Sequence, residues 1–349
     1  MLRESFGTDG RGNEAEVFTI TNANGTQLKV TTLGAAIVSF IFRDKNKIMR
    51  DIVLGYDKAK TYLEQKGYYF GATVGRYANR ISNAKITIKG VEYALEANSE
   101  TNNLHSGSNG VSHKVWDVDQ VDEEKNSVTM KIMSGDLEQG FPGNMQIKVT
   151  FALTEDDAVR IDYEAVSDKD TVVNFTNHSY FNLAGHDGGY IGSQKLKFYA
   201  DAFTPLAPTL SIPTGEIRPV EGTPFDFTDF KEIGKEINDS YDQLVYAKGY
   251  DHNFVLRNNG KLELMAEAVC EDTGIHLYAY TDRPGVQLYT GNFIEEHEGK
   301  SGARYGERHG FCLESQWFPD AVNNPAFETP LLAAGEVYTS TTVYRLALD

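Results

Sequence analysis

The sequence predicts an all-β protein, in which many short antiparallel strands pack as a large sandwich. The first observation is a period-two alternation of apolar and polar side chains, clearest in 158–166 and 262–268. The second is that Gly, Asn and Asp interrupt such runs, with turn pairs such as Asn24-Gly25. The third is a composition of 32 glycines, 19 tyrosines and 19 phenylalanines, which favours strands and turns. Alternation with one polar face is typical of antiparallel sheets.

Further strand-like runs are rich in Val, Ile, Thr, Tyr and Phe, and they occupy 27–33, 35–42, 86–95, 127–133, 145–153, 275–281, 286–290 and 337–346. Helical signals are few, and only 58–64 and 229–237 are long enough for a turn or two. Composition is even along the chain, without a linker, low-complexity tract or repeat. We therefore expect one large domain over 1–349, although the length alone would suit about two domains of ordinary size.

The composition excludes several classes of function. Of the 349 residues, 40% are hydrophobic and 24% are charged, which is too apolar for a disordered chain. With 33 Lys and Arg against 50 Asp and Glu, the formal net charge is −17. Phosphate backbones and anionic lipids bind surfaces rich in Lys and Arg, so we expect neither a nucleic-acid nor a membrane partner. Two cysteines, Cys270 and Cys312, exclude a disulfide scaffold and a four-thiolate metal site.

Targeting signals and nucleotide motifs are not found in the sequence. No stretch reaches the roughly 18 to 20 apolar residues of a membrane span, and Met1–Asp9 is not followed by the apolar run of a secretory signal. We therefore expect a cytoplasmic protein. GxxxxGK[ST], HExxH and GxSxG do not occur, nor does GxGxxG between a strand and a helix. We expect no cofactor and no metal, and a chemistry that uses ordinary acids, bases and amides.

The segment 174–186, NFTNHSYFNLAGH, is the most unusual in the chain. If it is extended, one face carries neutral hydrogen-bonding groups around one histidine, namely Asn174, Thr176, His178, Tyr180 and Asn182. Such groups both donate and accept hydrogen bonds, which suits a ligand with many hydroxyl groups. The alternative is a solvated strand face with a structural histidine. Solvated faces usually carry Lys and Glu, and this one carries neither, so we favour a binding site around His178.

Two further segments each have a structural and a functional interpretation. In GRYANRI (75–81), Asn79 and Arg80 are either surface groups or an amide and a planar fork for ligand oxygens. In the loop 103–110, NLHSGSNG, His105 is either incidental or placed in a cleft. Taken alone, each segment favours the structural interpretation.

Two strand-like segments also contain candidate binding residues. Asp251 in GYDHNF (249–254) either caps a turn or grips a pair of hydroxyl groups. Gln287 in PGVQLYTGN (284–292) shares a strand face with Tyr289. An amide in an apolar strand needs hydrogen-bond partners, which come from the protein or from a ligand.

Glu314 lies within an apolar run in GFCLESQWFPD (310–320). Burial among such residues raises the pKa of a carboxyl group toward the range in which it acts as a general base near neutrality. The alternative is a carboxylate on the wet side of an edge strand, or one paired with an arginine. In isolation, both interpretations of Glu314 remain open.

Taken in order, these segments resemble the aldose 1-epimerase, or galactose mutarotase, family, and the resemblance runs from about Arg3 to the C-terminal strand. The matching motifs are GRYANRI at 75–81, NLH at 103–105, NHSYFNLAGH at 177–186, GYDHNF at 249–254, PGVQLYTGN at 284–292 and FCLESQ at 311–316. The resemblance implies a galactose mutarotase-like supersandwich with an open cleft on one face. It also implies an isomerase that needs no cofactor.

The resemblance also implies roles for individual residues. Glu314 would take the proton from the sugar C1 hydroxyl, His178 would protonate the ring oxygen, and His105 would assist at the same end. The residues that would hold the remaining hydroxyl groups and the ring are Asn79, Arg80, Asp251, Gln287 and Tyr180. One departure is Ser106, which stands where the family usually has the first of two glycines.

The implied reaction interconverts the α and β anomers of free hexoses such as D-galactose and D-glucose. It opens a hemiacetal, rotates the chain about C1–C2 and recloses the ring, so one group must accept the O1 proton while another donates to O5. A carboxylate of raised pKa and a histidine near its ordinary pKa of about 6.5 would both serve near neutrality. We expect a monosaccharide as the small-molecule partner, a role in carbohydrate metabolism, and a monomer or homodimer.

Two other functions are open on the same residues. One is a non-catalytic sugar-binding or sensing module on the same fold, which can dispense with the acid–base pair of Glu314 and His178. The other is a glycoside-cleaving enzyme, which would use two carboxylates on either side of the bond. For that role Glu314 has only Asp251 as a distinctive carboxylate partner.

Overall fold

The structure, a computed structural model, describes residues 1–208 and 211–348 and confirms an all-β sandwich. All pairings between its named strands are antiparallel, as the alternation predicts. The expectation of one domain over 1–349 stays a prediction.

Strands follow one another along the whole described chain. Up to residue 167 they are β1 (Leu2–Thr8), β2 (Glu14–Thr21), β3 (Gln27–Thr31), β4 (Ala36–Arg43), β5 (Met49–Asp51), β6 (Thr73–Val74), β7 (Arg80–Ile81), β8 (Lys85–Ile88), β9 (Val91–Ala94), β10 (Asn103–Leu104), β11 (Asp117–Asp122), β12 (Ser127–Ser134), β13 (Met145–Leu153) and β14 (Ala158–Ser167). From residue 171 they are β15 (Thr171–Val172), β16 (Thr176–Asn177), β17 (Tyr180–Phe181), β18 (Lys195–Phe198), β19 (Ala200–Thr204), β20 (Arg218–Pro219), β21 (Lys231–Glu232), β22 (Asp251–Leu256), β23 (Glu263–Cys270), β24 (Ile275–Thr281), β25 (Gly285–Tyr289), β26 (His297–Glu298), β27 (Arg304–Tyr305), β28 (Phe311–Gln316), β29 (Leu331–Leu332) and β30 (Val337–Leu348).

Helices are short. The α-helices are α1 (Ala59–Glu64) and α2 (Asp242–Ala247). Single 3-10 turns occur at Lys66–Tyr68, Ser82–Ala84, Val111–His113, Glu138–Gly140 and Lys300–Gly302. Over the residues that the structure describes, no helix has the length and apolar character needed to cross a membrane.

Three sheets make up most of the fold. The largest has nine strands in the order β11-β12-β13-β14-β30-β24-β23-β18-β21. A six-stranded sheet has the order β17-β28-β25-β22-β19-β20, and a five-stranded sheet runs β1-β2-β3-β4-β5. The remaining strands form two-stranded ladders. All neighbours in the five-stranded sheet and four of the eight neighbouring pairs in the nine-stranded sheet are consecutive in sequence, so short turns suffice to connect those strands.

The nine- and six-stranded sheets pack face to face. In β13 the alternate residues Met145 to Leu153 are buried, and they belong to the main apolar cluster together with Phe311 and Leu313 of β28. The hydroxyl of Tyr344 in β30 donates to the carbonyl of Leu313 at 2.8 Å, which joins the two sheets directly. Burial of such side chains contributes roughly 1.5–3 kcal/mol each and drives the sheets together.

The opposite face of the six-stranded sheet is polar, yet it is also buried. All six residues of β28 are buried, and since side chains alternate along a strand, Cys312, Glu314 and Gln316 face away from the sandwich core. The ladder places Glu314 beside Gln287 of β25 and Cys312 beside Tyr180 of β17. The candidate site is built on this face.

Two predicted segments differ from the structure. The run 86–95 is divided by a tight turn into the hairpin β8–β9, in which Lys89 and Gly90 both have positive φ, of 49° and 84°. The predicted helical segment 229–237 is not helical. Its residues Ile233 and Gly234 donate backbone hydrogen bonds to the 191–194 turn, and these tertiary contacts override the weak helical pattern.

Candidate active site

A small cavity lies on the polar face of the six-stranded sheet. Its volume is about 180 Å³. All the predicted site residues except Gln287 line it. The lining consists of Gly67, Tyr68, Tyr69, Asn79, Arg80, Leu104, His105, His178, Tyr180, Asp251, Tyr289, Phe293 and Glu314. All six motifs singled out in the sequence therefore meet at one place, although 284–292 contributes Tyr289 and not Gln287.

Glu314 is the buried acid of the cavity. It is 2% exposed, and its Oε2 has no hydrogen-bond partner among the described residues. Burial raises the pKa of the Glu314 carboxyl group well above its ordinary value; the charge of Asp251 raises it further and that of Arg80 opposes the rise. An unpaired buried acceptor destabilises a fold by about 1–3 kcal/mol, so such a group calls for an explanation. An oxygen turned toward a cavity is explained by a ligand that donates to it.

His178 lies directly beside Glu314. The His178 Nε2 is 3.7 Å from the Glu314 Oε2, and the His178 Nδ1 is 3.5 Å from the Cys312 Sγ. The His178 ring stacks on Tyr180 with 5.0 Å between ring centroids. Burial lowers the pKa of His178 to about 4. The expectation of a pKa near ~6.5 for this histidine is therefore wrong, because the ring is removed from water, which disfavours its charged form.

His105 is a neutral hydrogen-bond donor. The backbone N–H of Asn79 donates to the His105 Nδ1 at 3.1 Å, so the neutral ring carries its proton on Nε2. Burial lowers the pKa of His105 well below its ordinary value, and electrostatic repulsion from His178, when that ring is protonated, and from Arg80 adds to this effect. The His105 and His178 rings meet edge to face at 5.4 Å. His105 thus presents a fixed N–H beside the pair of Glu314 and His178.

Ser106 stands where the family usually has a glycine, and the hydrogen bonds of its hydroxyl group explain how the 105–110 loop accommodates it. The residue has a φ of 66°, a conformation that glycine adopts at less cost. Its hydroxyl compensates, because it accepts a hydrogen bond from the Tyr77 N–H at 2.7 Å and donates to the Tyr77 carbonyl at 3.0 Å. These two bonds connect the loop that carries His105 to the segment that carries Asn79.

Asn79, Arg80 and Asp251 line the same cavity. Asn79 has a φ of 65°, and its Oδ1 accepts a hydrogen bond from the Arg80 backbone N–H at 2.8 Å. The Arg80 guanidinium lies 3.7 Å from Asp251, measured from Nη1 to Oδ2. Asp251 begins β22 and is paired in the ladder with Tyr289 of β25. An amide, a planar fork and a carboxylate are thus available to the hydroxyl groups of a ligand.

Gln287 lies beneath the cavity rather than in its wall. Its Nε2 donates to the Asp251 Oδ1 at 2.7 Å, and its Oε1 accepts from the Gln316 Nε2 at 3.0 Å. Both ends of the Gln287 amide are therefore bonded within the protein. Of the two partners that the sequence left open for this amide, the structure supplies the protein.

The polar face predicted for 174–186 reaches the cavity only in part. The segment is not one continuous strand but contains the short strands β16 and β17. Asn174 bonds to the backbone of Trp317, and Asn182 donates to the carbonyl groups of Gly189 and His309. Only His178 and Tyr180 of the predicted row line the cavity.

Several aromatic residues of the cavity were missed in the sequence. Tyr69 has a φ of 55° and lies against His105 and His178, with ring centroids at 4.8 and 5.9 Å. Tyr289 accepts a hydrogen bond on its hydroxyl from the Phe293 N–H at 3.0 Å. Apolar C–H faces of a ligand can pack on such rings. Only one of them had a signal in the sequence, because Tyr289 lies on the same strand face as the candidate binding residue Gln287.

The geometry also allows a test of metal binding. Ligand atoms of His105, His178 and Glu314 all lie within 4.8 Å of one another. However, the His105 Nδ1 lone pair accepts the Asn79 N–H, and Nε2 then carries the proton. A neutral His105 held in this way has no free lone pair for a metal. The donor set fits an acid–base cluster better than a metal centre, and the absence of a metal stays a prediction.

Chemically, the site combines one carboxyl group, one imidazole and one fixed N–H donor around a small volume. Two of these groups are able to exchange protons with a ligand, and their separation of 3.7 Å allows both to contact oxygens bonded to the same carbon atom. Asn79, Arg80 and Asp251 add directional partners for hydroxyl groups. The arrangement suits proton transfer to and from a small polyhydroxylated molecule.

Known proteins are similar to this chain in both sequence and fold. The family model described as aldose 1-epimerase matches residues 16–345. Galactose mutarotase of Rattus norvegicus is 39% identical over 338 residues, which cover 97% of this chain and 95% of that protein. Aldose 1-epimerase of Escherichia coli K12 is 34% identical over 352 residues, which cover 100% of both chains.

Solved structures show the same similarity. A GalM/aldose epimerase homologue from C. elegans superposes with a TM-score of 0.87 at 29% identity, over 96% of this chain and 99% of that one. A galactose 1-epimerase from Lactobacillus acidophilus gives a TM-score of 0.86 at 25% identity, over 100% and 99% of the two chains.

Proposed function

The chain belongs to the aldose 1-epimerase family, and we propose that it interconverts the α and β anomers of free hexoses such as D-galactose and D-glucose. The proposed acid–base pair is Glu314 and His178. The relatives are named as mutarotases and epimerases, and nothing favours a sugar-binding module without catalysis.

Ring opening needs two proton transfers at neighbouring oxygens. Ionised Glu314 accepts the proton of the C1 hydroxyl while protonated His178 donates a proton to the ring oxygen, and the hemiacetal bond between C1 and O5 breaks. After rotation about C1–C2, the ring oxygen attacks the other face of the aldehyde. His178 then takes back the proton and Glu314 returns one to O1. Each positioned transfer contributes typically about 10²–10⁴-fold to the rate.

The reaction leaves the charge of the pair unchanged. In each half-reaction one partner gains a proton as the other loses one. Glu314 and His178 together therefore carry the same number of protons before and after. Burial disfavours the charged form of both groups. Ring opening starts from a carboxylate and an imidazolium and ends with two neutral groups, so the net charge of the pair stays at zero and no unpaired charge is left in the cavity, which would cost a large desolvation energy.

The other residues hold the sugar around this centre. His105 donates from Nε2 at the C1 and ring-oxygen end. Asn79, Arg80 and Asp251 bind the remaining hydroxyl groups, and Tyr180 supports the ring of His178 from one side. Gln287 holds the Asp251 carboxylate in its orientation.

The observation that carries the proposal is the unpaired Glu314 Oε2, buried and 3.7 Å from the His178 Nε2. The separation is too long for a hydrogen bond between the two groups. A carboxylate oxygen left in this way is explained by a substrate hydroxyl that occupies the position between base and acid.

Polarimetry tests the proposal directly. Freshly dissolved α-D-galactose and α-D-glucose change their optical rotation as the anomers equilibrate. A catalytic amount of purified protein should shorten this decay, with the same final rotation as buffer alone. A decay equal to that of the buffer for both sugars would reject the proposed activity, and comparison of the two rates identifies the preferred sugar.

We further propose that the protein acts in the cytoplasm on free sugars of hexose metabolism, including galactose, and that it is a monomer or homodimer. The formal net charge of −17 supports a neutral substrate over a phosphorylated one, because an acidic protein repels anions. Light scattering after size-exclusion chromatography measures the oligomeric state.

A further inference from the structure

Three side-chain amides form a continuous chain beneath the cavity. The Asn79 Nδ2 donates to the Gln316 Oε1 at 3.3 Å, and the Gln316 Nε2 donates to the Gln287 Oε1 at 3.0 Å. The Gln287 Nε2 then donates to the Asp251 Oδ1 at 2.7 Å. At its start, the Asn79 Oδ1 accepts from the Arg80 N–H. The chain thus runs from one wall of the cavity to the other.

The two ends of this chain fix its direction. A backbone N–H such as that of Arg80 can only donate, and an ionised carboxylate such as that of Asp251 can only accept. Between them, each amide accepts on its oxygen and donates from its nitrogen. If one amide were inverted, two donors or two acceptors would face each other, and buried groups would lose their partners.

Gln316 is the central member of the chain and does not line the cavity. It is fully buried in β28, and its Nε2 also donates to the Asn253 Oδ1 at 3.0 Å. The residue opposite Gln316 in the ladder is Gly285. A Cβ on Gly285 would lie 2.4 Å from the Asn253 Oδ1, so the glycine leaves the space in which these amides meet.

We propose that Gln316 is a positioning residue, which links the two ends of the amide chain and holds the Gln287 amide with its N–H, and not its carbonyl oxygen, on the Asp251 carboxylate. The inference rests on the proposed function, because it assigns Asp251 to a sugar hydroxyl. Gln316 itself touches no substrate. It connects the segment that carries Asn79 and Arg80 to the strand that carries Asp251. The positions of both groups of proposed sugar-binding residues therefore depend on Gln316.

The variant Gln316→Glu inverts this chain without changing its shape. An ionised carboxylate at 316 offers only acceptors to the Gln287 Oε1 and the Asn253 Oδ1. The Gln287 amide is then driven to turn over, and its oxygen opposes Asp251. Since Asp251 binds substrate in the ground state and the transition state alike, the loss falls mainly on KM. We expect kcat/KM to fall about 10- to 100-fold at about pH 9, the range for a hydrogen bond to a charged group.

Protonation of the introduced carboxyl group is an internal control. A protonated carboxyl group has one carbonyl acceptor and one O–H donor, which reproduces the amide pattern. The ratio of variant to wild-type kcat/KM is therefore expected to rise as the pH is lowered from about 9 to about 5. A negative charge at 316 that acted only through space would raise the pKa of Glu314 and weaken the base most at low pH, so its effect on the ratio has the opposite sign.

The ratio cancels the titrations common to both proteins. The titratable and charged groups around Glu314 and Asp251 include Arg80, Tyr69, His105, His178, Tyr180, Tyr289, Cys312 and Tyr344. They are present in both proteins, so a pH-dependent ratio arises from the group at 316, and the sign of the dependence separates a reversed amide chain from a through-space shift of their pKa values.

Gln316→Met is the matched control. Methionine removes the same hydrogen bonds but does not drive the Gln287 amide to turn over. The Asp251 carboxylate, which only accepts, still favours the orientation in which Gln287 donates to it. We expect lower thermal stability, a smaller loss in KM than for Gln316→Glu at about pH 9, and a kcat/KM ratio that does not vary with pH. If circular dichroism shows that Gln316→Glu does not fold, Gln287→Glu takes its place, since its carboxyl group must also be protonated to donate to Asp251.

A ratio for Gln316→Glu that is flat or rises with pH would overturn the inference, and so would an equal KM increase in Gln316→Met. A flat ratio or an equal KM increase would mean that Gln316 only fills space, and a ratio that rises with pH would mean that the introduced charge acts only through space. Failure of the proposed function is distinguishable, because the wild-type protein itself would then leave the polarimetric decay unchanged.

Discussion

The Glu314 Oε2 and the His178 Nε2 lie 3.7 Å apart in the wall of one cavity, and the carboxylate oxygen has no hydrogen-bond partner among the residues that the structure describes. A carboxyl group with a raised pKa and an imidazole with a lowered pKa are thus adjacent without a hydrogen bond between them. A direct hydrogen bond would keep the proton between them. The gap makes both groups available to a third molecule.

Removal of the carboxylate tests the base. We expect Glu314→Gln to reduce kcat by about 10²–10⁴-fold, because the amide accepts no proton from the C1 hydroxyl. KM should change far less, since the substitution preserves the shape of the site. Polarimetric progress curves with α-D-galactose measure both constants. The surface variant Glu164→Gln, in which the exposed side chain of β14 is altered, should retain wild-type rates, and a near-normal kcat for Glu314→Gln would remove this residue from its role.

His178 and His113 form a second matched pair. His178 is buried and His113 is half-buried, both lie near Tyr69, and removal from water lowers the pKa of each to about 4. Only His178 lines the cavity. We expect His178→Asn to lose about 10²–10⁴-fold in kcat and His113→Asn to stay within about twofold of wild type. Equal losses in the two variants would indicate that the effect is structural.

The charge of Asp251 should be visible in the pH profile. Asp251 raises the pKa of Glu314, so Asp251→Asn lowers it and moves the acidic limb of kcat/KM to lower pH. Arg80 opposes the rise, so Arg80→Gln should move the same limb to higher pH. Both variants should also increase KM, by about tenfold for a lost hydrogen bond to a charged group. Shifts of the two limbs in the same direction would contradict this electrostatic assignment.

The buried carboxyl group should also destabilise the fold at high pH. The folded-state pKa of Glu314 lies above that of the unfolded chain. Its stabilising contribution is therefore complete below the unfolded pKa and is lost as the pH rises through the folded pKa. Glu314→Gln removes this loss, so it should be more stable than wild type at about pH 8 by about 1–3 kcal/mol, and the difference should shrink toward about pH 5. Urea unfolding at both pH values measures it, and a constant difference would contradict the prediction.

The fold could be predicted where strands have one apolar face. The alternation in 145–153 and 275–281 matches β13 and β24, because each strand packs one face on the core. The same reasoning fails for 229–237, where backbone hydrogen bonds to a distant turn decide the conformation. It also missed α2, a helix too short for a periodic signal, which ends at Lys248 in the left-handed conformation.

The site could be predicted as a set of residues but not as a geometry. Glu314 and His178 stand out locally, as an acid in an apolar run and a histidine among neutral polar groups. Their pKa shifts depend on burial by other segments, which is why a near-ordinary pKa for His178 was wrong. Tyr69 and Gln316 give no local signal, since an aromatic and an amide in a β protein are more often structural.

Both faces of β28 are buried, so its pairing register is determined by the apolar core on one face and by the polar cavity on the other. Displacement by one residue would bring Leu313 or Ser315 to the position of Glu314 and turn a carboxylate into the sandwich core. Misaligned molecules would therefore be unstable as well as inactive. Turnover in this protein then reports correct folding, and an insertion or deletion in 311–316 is expected to yield little soluble chain instead of an intact but inert one.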